Sequence, residues 1–366
     1  MILPILMLVM DGNRMNFINH LRKKQNIPLI TIFTAEWCPH CKKLLPIFQK
    51  VAENYKDNER ITFSAIDCAN EDDLCSKFDI SSYPTFILGI HNITIALPYL
   101  NSKDRLRTTI DRIFTLNSYN FSNKPTRFPN YEFTLSQNDK NSRDIVDAVI
   151  LALEIDFDQI SINEKQLQYT IEPKVTANID KGLSVESTDQ FTPFFVKHFI
   201  EQNSLKIFDY WTFKSIKTLD KRVAILLTNN PRDYEKYRSF AHKYYNKFVF
   251  LNSAGVRHTE IPQKYWNISA SDLPAFIIMD SKATYYSALR RINNSKKMAH
   301  YEGLIDRDVL VKNYFKIDPR EFNKRPISII KINIILILVA IVVAILIVEV
   351  CGRCDNSEPN KHNHQE

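Results

Sequence analysis

The chain has 366 residues, 45% hydrophobic and 24% charged, with a formal net charge of +7. That length holds two or three domains with cores of their own. Lys and Arg alternate with Asp and Glu along most of the chain, so no basic face forms and nucleic-acid binding is not expected. Glycine is scarce, at 6 residues. Asparagine, which tolerates left-handed backbone, is expected in turns instead.

Met1 to Met10 (MILPILMLVM) is as short as the apolar region of a secretory signal. It has no Lys or Arg ahead of it and no clear small-residue cleavage site behind. Two readings stay open: a short signal, or a first strand or buried leading segment of the next domain. Residues 1–25 are accordingly set apart. Leu29 to Thr34 is apolar and β-branched, a strand pattern. Trp37-Cys38-Pro39-His40-Cys41 follows, then a helical pattern carrying Lys42 and Lys43. Cys38 falls at the helix start, where free N–H groups and the helix dipole favour a thiolate. Pro39 suits the first helical position, where its missing N–H costs nothing. Cys41, one turn on, is within reach of the Cys38 sulfur. The pair reads as a thiol–disulfide exchange centre. A zinc half-site or two structural thiols are the rival readings. Zinc needs two more ligands at knuckle spacing, and six residues separate Cys68 from Cys75.

Downstream stand Asp67-Cys68, Leu74-Cys75 and Ser82-Tyr83-Pro84-Thr85-Phe86. WCPHC followed by DC, LC and YPTF resembles the catalytic domain of the protein disulfide isomerase family, over residues 26–116. The pattern runs β (Leu29–Thr34), α (Pro39–Tyr55, bent at Pro46), β (Ile61–Asp67), α (Asp72–Phe78), β (Thr85–Leu88), β (Ile93–Pro98), α (Asp104–Leu116), the thioredoxin order. The resemblance implies a cis Pro84 against the reactive disulfide, with Trp37, Pro39 and Tyr83 supporting it. It implies a Cys68–Cys75 bridge, in preference to free thiols, and no metal or cofactor beyond the Cys38–Cys41 disulfide.

In the implied chemistry an exposed Cys38 thiolate attacks a client disulfide and Cys41 then releases the client; the reverse inserts a disulfide. His40 is expected to stabilise the thiolate and so make the disulfide more oxidising, against the alternative of a solvated helix-start residue. The inner pair Pro-His differs from the family's usual Gly-His and equals that of a bacterial periplasmic oxidase, an oxidising poise. One departure stands out. The family's buried acid, six residues before the first cysteine, is Ile32 here, and Glu36 is not its replacement. Family members also swing a cation near the second cysteine. Lys103 or Arg105 is the matching position.

From Asn117 the chain turns polar before an apolar patch at Ile145 to Leu153. Residues 117–186 are read as a reduced, cysteine-free thioredoxin-like domain whose strands the sequence does not place. Residues 187–320 read more clearly: a helix at Phe191–Asn203, strands at Val223–Thr228 and Phe248–Asn252 around a helix at Arg232–Tyr245, then Leu273-Pro274-Ala275-Phe276. The last piece echoes Tyr83 to Phe86, so a second cis proline is expected at Pro274. This domain resembles the family's inactive b-prime type, which holds unfolded clients. Phe194, Phe195, Phe199 and Phe208 either line such a surface or belong to the core.

Ile327 to Val348 is 22 residues with one charge, Lys331, enough to cross a bilayer. Lys331 can snorkel to the interface. Cations cluster before the span, which would put the large domains in the cytosol. That rule is weak for long domains, and an oxidisable cysteine pair favours the lumen. The expectation is lumenal domains with a short cytosolic tail, 349–366. Asn92, Asn120, Asn267 and Asn293 begin glycosylation sequons on that side. Cys351 and Cys354, just past the span, are read as acylated or unused.

The layout resembles the transmembrane thioredoxin-related (TMX-type) branch of the family, with one active and two inactive thioredoxin-like domains. It implies a single-pass endoplasmic reticulum oxidoreductase acting on unfolded, cysteine-containing clients and reoxidised by an upstream oxidase or glutathione. The alternatives are a membrane-tethered chaperone or adaptor with a regulatory dithiol, and a cytosol-facing reductant.

Overall fold

The computed structural model describes residues 10–11, 27–116, 118–137, 139–165, 172–187, 190–209, 219–252, 266–280, 282 and 284–314. The expected span 327–348, the tail 349–366 and most of 1–25 lie outside the described residues. Among those described, no helix is long and apolar enough to cross a membrane.

The first unit is a five-stranded sheet in the order β1-β3-β2-β4-β5. Its strands are β1 (Met10–Asp11), β2 (Leu29–Thr34), β3 (Thr62–Asp67), β4 (Thr85–Ile90) and β5 (Ile93–Ala96). The helices are α1 (Pro39–Asn54), α2 (Asp72–Lys77) and α3 (Lys103–Leu116). β2 is buried along its whole length because helices cover both faces of the sheet. Ile30 and Ile32 join Leu44 and Phe48 of α1 and Leu106 and Ile110 of α3. Leu29 and Phe33 point the other way, toward Leu74 and Cys75 of α2. Met10 and Asp11 pair in parallel with Ser64 and Ala65. The end of the apolar run is therefore an edge strand of this sheet, in agreement with the first-strand reading of that segment.

The region whose strands the sequence did not place repeats the same plan. β6 (Asn130–Ser136) runs parallel to β7 (Ile160–Lys165) and antiparallel to β8 (Lys174–Asp180), which pairs with β9 (Leu183–Glu186). Helix α4 (Lys140–Leu153) links β6 to β7. The helix expected to open the third domain, α5 (Pro193–Gln202), packs on α4 instead. Thr192 caps it and Pro193 starts it, while Val196 and Ile200 are buried. α5 thus completes the second unit as α3 completes the first, and the boundary at 186/187 moves beyond it. Phe208, offered for a client surface, is a core residue packed on Tyr234 and Phe250. Phe194 and Phe195 are exposed.

The third unit comprises β10 (Arg222–Leu227), α6 (Arg232–Lys236), α7 (Arg238–Lys243), β11 (Phe248–Asn252), β12 (Ala275–Met279), β13 (Tyr285–Leu289), α8 (Ser295–Asp306) and β14 (Asn313–Tyr314). The expected single helix at 232–245 is broken at Tyr237. Sheet order is β11-β10-β12-β13-β14. Cis peptides precede Pro84, Pro129 and Pro274. The one at Pro129 had no counterpart in the sequence reading. Left-handed backbone falls on Asn92 and Asn267, but also on Asp79, His91, Glu154, Phe208, Arg291 and Asp308. Asparagine therefore takes only part of glycine's place.

The three units are packed together. α4 is buried from Ile145 to Ala152 because one side covers its own sheet while another meets β4, β5 and α3 of the first unit. Arg105 of α3 donates to Glu154 Oε2 at 2.8 Å, at the left-handed C-cap of α4. Arg112 stacks over Phe157 at 4.6 Å. His91 faces Asp144 at 3.7 Å. Between the second and third units, Asp180 at the end of β8 receives Arg238 and His242 of α7.

Burial works against ionisation of Asp180, but hydrogen bonds from His242, the Lys181 N–H and Arg238 outweigh it and hold the carboxyl below its ordinary value. A carboxylate with a depressed folded value contributes stability above its unfolded value and loses it as pH falls through the folded one. Asp180→Asn is expected to cost about 1–3 kcal/mol near neutral pH. The difference from wild type should shrink below about pH 4. Urea midpoints at both pH values measure this, and equal differences at both would refute the ion-pair account.

Candidate active site

The site is built where β2 ends and α1 begins. The Cys38 N–H donates to the Ala35 carbonyl at 3.0 Å, turning the chain out of the sheet. Cys38 is the N-cap of α1, with extended backbone (φ −79°, ψ 115°), and Pro39 stands in the first turn. The Cys38 sulfur accepts the Cys41 N–H at 3.1 Å. That donor is one of the free groups at a helix start, so the sulfur lies where negative charge is best tolerated. Cys38 and Cys41 are bonded to each other, with Cα atoms 5.3 Å apart.

Above them lies the loop from α2 to β4. The Tyr83 carbonyl is 3.7 Å from the Cys38 sulfur, and the peptide from Tyr83 to Pro84 is cis. Thr85 Oγ1 donates to the Ser82 carbonyl at 2.7 Å, tightening the loop. The Tyr83 ring packs on a small cluster of Ala35, Cys38 and Cys41. Trp37 meets Tyr83 edge to face, with centroids 5.6 Å apart and planes at 84°.

The sequence led us to expect an exposed sulfur at position 38. In the bonded state Cys38 is only 3% exposed and Cys41 2%. The residues outside are the ones that project: Trp37 at 70%, with Pro39 and His40 also exposed. The sulfur is covered because the Tyr83 loop lies over it, a long-range placement that no local pattern reveals.

Beside the pair runs a groove of about 440 Å³ lined by His40, Ser82, Tyr83, Pro84, Thr85, Phe86, Leu97 and Tyr99. It carries no carboxylate, lysine or arginine. Half-exposed Tyr99, after β5, forms part of its wall, and the sequence reading did not single it out. Its only signal was an aromatic residue beyond a strand end, which says nothing of position until the sheet is assembled.

Ile32, at the place of the family's buried acid, is fully buried and pairs with Ala65 and Phe86. Glu36 is exposed. Lys103 opens α3, whereas Arg105 turns to Glu154 in the second unit and not to Cys41. The swing expected of Arg105 is replaced by an ion pair to a residue 49 positions away. Cys68 and Cys75 form the second disulfide, with Cα atoms 5.8 Å apart, and are 5% and 1% exposed. All four sequon asparagines, Asn92, Asn120, Asn267 and Asn293, are exposed.

Residues 8–112 match the thioredoxin family, and residues 148–300 match a thioredoxin-like domain family. Protein disulfide-isomerase A5 of Bos taurus is 42% identical over 73 residues, covering 19% of this chain and 14% of that protein. A putative protein disulfide-isomerase of Schizosaccharomyces pombe is 26% identical over 283 residues, 70% of this chain and 55% of that protein. The match to human ERp44 covers 84% of this chain and 96% of that one, at 13% identity and a TM-score of 0.47. The chain thus spans no more than about half the length of these two curated relatives. With its repeated sheet plan and its paired cysteines, the chain is a protein of tandem thioredoxin-like α/β domains, similar in sequence to protein disulfide isomerases.

Proposed function

We propose that this protein is a thiol–disulfide oxidoreductase that makes and rearranges disulfides in folding proteins of the endoplasmic reticulum. The observation that carries the reading is the Cys38–Cys41 disulfide at the start of α1, facing the cis Pro84 loop. In the oxidising direction a client thiolate attacks the Cys38 sulfur, and Cys41 leaves as a thiolate. A second client thiolate then attacks the client sulfur of the mixed disulfide and expels Cys38 as a thiolate. The client gains one disulfide and the site becomes a dithiol. The Cys41 N–H and the dipole of α1 stabilise the thiolate that forms at Cys38, which favours this direction. His40, exposed beside the groove, adds to that stabilisation when protonated. No buried carboxylate stands at position 32, so protons of Cys41 move through water.

Clients are read as extended, cysteine-bearing segments laid along the uncharged groove between Pro84 and Tyr99. The second and third units lack cysteine and serve to hold them. Exposed Phe194 and Phe195 also suit a chaperone or adaptor role, in which client binding persists without the dithiol. Reoxidation falls to an upstream oxidase or glutathione. Residues 327–348 anchor the protein in the membrane, with the three domains in the lumen, in the manner of the TMX-type branch.

Disulfide recovery in a reduced, cysteine-containing client tests the activity; no faster recovery than with buffer alone would reject it. Topology has its own test. In cells, the lumenal arrangement predicts glycans on one or more of Asn92, Asn120, Asn267 and Asn293, lost on substitution by Gln. Membrane-bound protein bearing no glycan, with Cys38 kept reduced, would favour the cytosol-facing reductant.

A further inference from the structure

The second disulfide is not merely a neighbour of the first. Cys68 follows β3 directly, and its N–H donates to the Thr34 carbonyl at 2.9 Å, four residues before Cys38. Its partner Cys75 lies in α2, and the Cys75 carbonyl accepts the N–H groups of Phe78 at 3.2 Å and Ile80 at 3.0 Å. Those residues begin the loop that carries Tyr83 and Pro84, and Asp79 between them is left-handed (φ 53°). Phe78, Ile80 and Tyr83 pack on the buried cluster that contains Cys68 and Cys75. Tyr83 is also the residue packed on the cluster of Ala35, Cys38 and Cys41, so the two clusters share it. A set of contacts therefore joins the cluster around the Cys68–Cys75 bridge, on which Ile80 and Tyr83 each pack, to the ring and carbonyl that cover the Cys38 sulfur.

We propose that the Cys68–Cys75 disulfide is a positioning element for Cys38. It fastens α2 to the end of β3, so that the loop after α2 holds Tyr83 against Cys38 and Trp37. Tyr83 is the cover, and the bridge sets how often it lifts. Reaction at Cys38 has to displace a ring that is held on two sides. With the bridge gone, α2 keeps its apolar contacts and the hydrogen-bonded turn at Asp67 but loses its covalent tie, and the loop gains freedom at the end nearest the site. Small reagents should then reach Cys38 more readily. A peptide client should gain less, or lose, because the groove wall formed by Tyr83 and Pro84 is no longer held in place. The proposal rests on Cys38 being the exchanging sulfur, and the test separates the two ideas.

The experiment compares the full chain with Cys68→Ala/Cys75→Ala, Ile80→Ala and Tyr83→Ala variants. In each the Cys38–Cys41 pair is first reduced under conditions that leave Cys68–Cys75 closed in the wild type, and far-UV circular dichroism confirms folding. Iodoacetamide labelling at Cys38 and at Cys41 is followed separately by peptide mass across pH. Expected is a rise of about fivefold at Cys38 in all three, the scale of one aromatic edge-to-face contact. The pH midpoint of labelling and the rate at Cys41 should stay unchanged, whereas general loosening would raise both cysteines together. Combining the double alanine change with Tyr83→Ala should give no further increase, since both act on one cover. A wild-type Cys38 rate in folded Cys68→Ala/Cys75→Ala, alongside a raised rate in Tyr83→Ala, would overturn the link to the bridge. Should the double variant fail to fold, Ile80→Ala decides, because it keeps the bridge and removes a loop side chain that packs on the bridge's cluster; a wild-type Cys38 rate in it would overturn the proposal. If wild-type protein labels as expected but exchanges no client disulfide, the proposed function fails while the positioning role stands.

Discussion

Replacing Cys38 by serine is expected to lower disulfide exchange with a client by about 10³-fold or more, because the hydroxyl cannot form the mixed disulfide. Cys41→Ser should behave differently. Its Cys38 remains at the helix start with the N–H of residue 41 pointing at the sulfur, so it still attacks an oxidised client. Without a resolving thiol the mixed disulfide persists and accumulates as a covalent adduct. Non-reducing electrophoresis after acid quenching separates the two outcomes. A Cys41→Ser protein that traps nothing, or a Cys38→Ser protein at wild-type rate, would remove Cys38 from the reaction and leave a binding protein. The expected asymmetry follows from the geometry: Cys38 stands at the N-cap of α1 against the Tyr83 carbonyl, whereas Cys41 lies one turn inside the helix.

Truncation of Ile150 to alanine should be the most costly of the structural changes considered, at about 2–5 kcal/mol. Ile150 is fully buried in α4, a helix with no solvent face from Ile145 to Ala152. Its surroundings come from two units, since α4 meets α5 on one side and β4 and β5 on another. A cavity there is expected to lower the urea midpoint and to disturb the first unit as well as the second. Hydrogen exchange of β5 amides reads this, because β5 is the edge that α4 covers. Protection of β5 at wild-type level in a folded Ile150→Ala protein would show that the first unit does not depend on the interface.

Much of the first domain was legible in local pattern. The apolar run of β2, the helix start at Cys38 and Pro39, and the periodicity of α3 each follow from nearest-neighbour chemistry, so their bounds fall within a residue or two of expectation. The second unit was not legible. The second half of its chief helix, Ala148–Leu153, is a continuous apolar run that reads equally as a buried strand. That same continuous apolarity is the trace of α4 being shared between two units, and it can be interpreted only once both are in place. The helix at 193–202 shows the opposite case. Its existence was legible as the helical stretch Phe191–Asn203, but its allegiance to α4 rests on contacts forty or more residues away in sequence.

The chemistry of the site divides along the same line. Residue types and short-range order settled that two sulfurs meet at a helix start, because four consecutive positions and a dipole suffice for that. Only the assembled fold decided how far those sulfurs are hidden, where Arg105 goes and which residues wall the groove. Each of these depends on surfaces brought together across the sheet or across a domain boundary, where burial and ion pairing with distant partners outweigh any preference a side chain has for its neighbours in sequence.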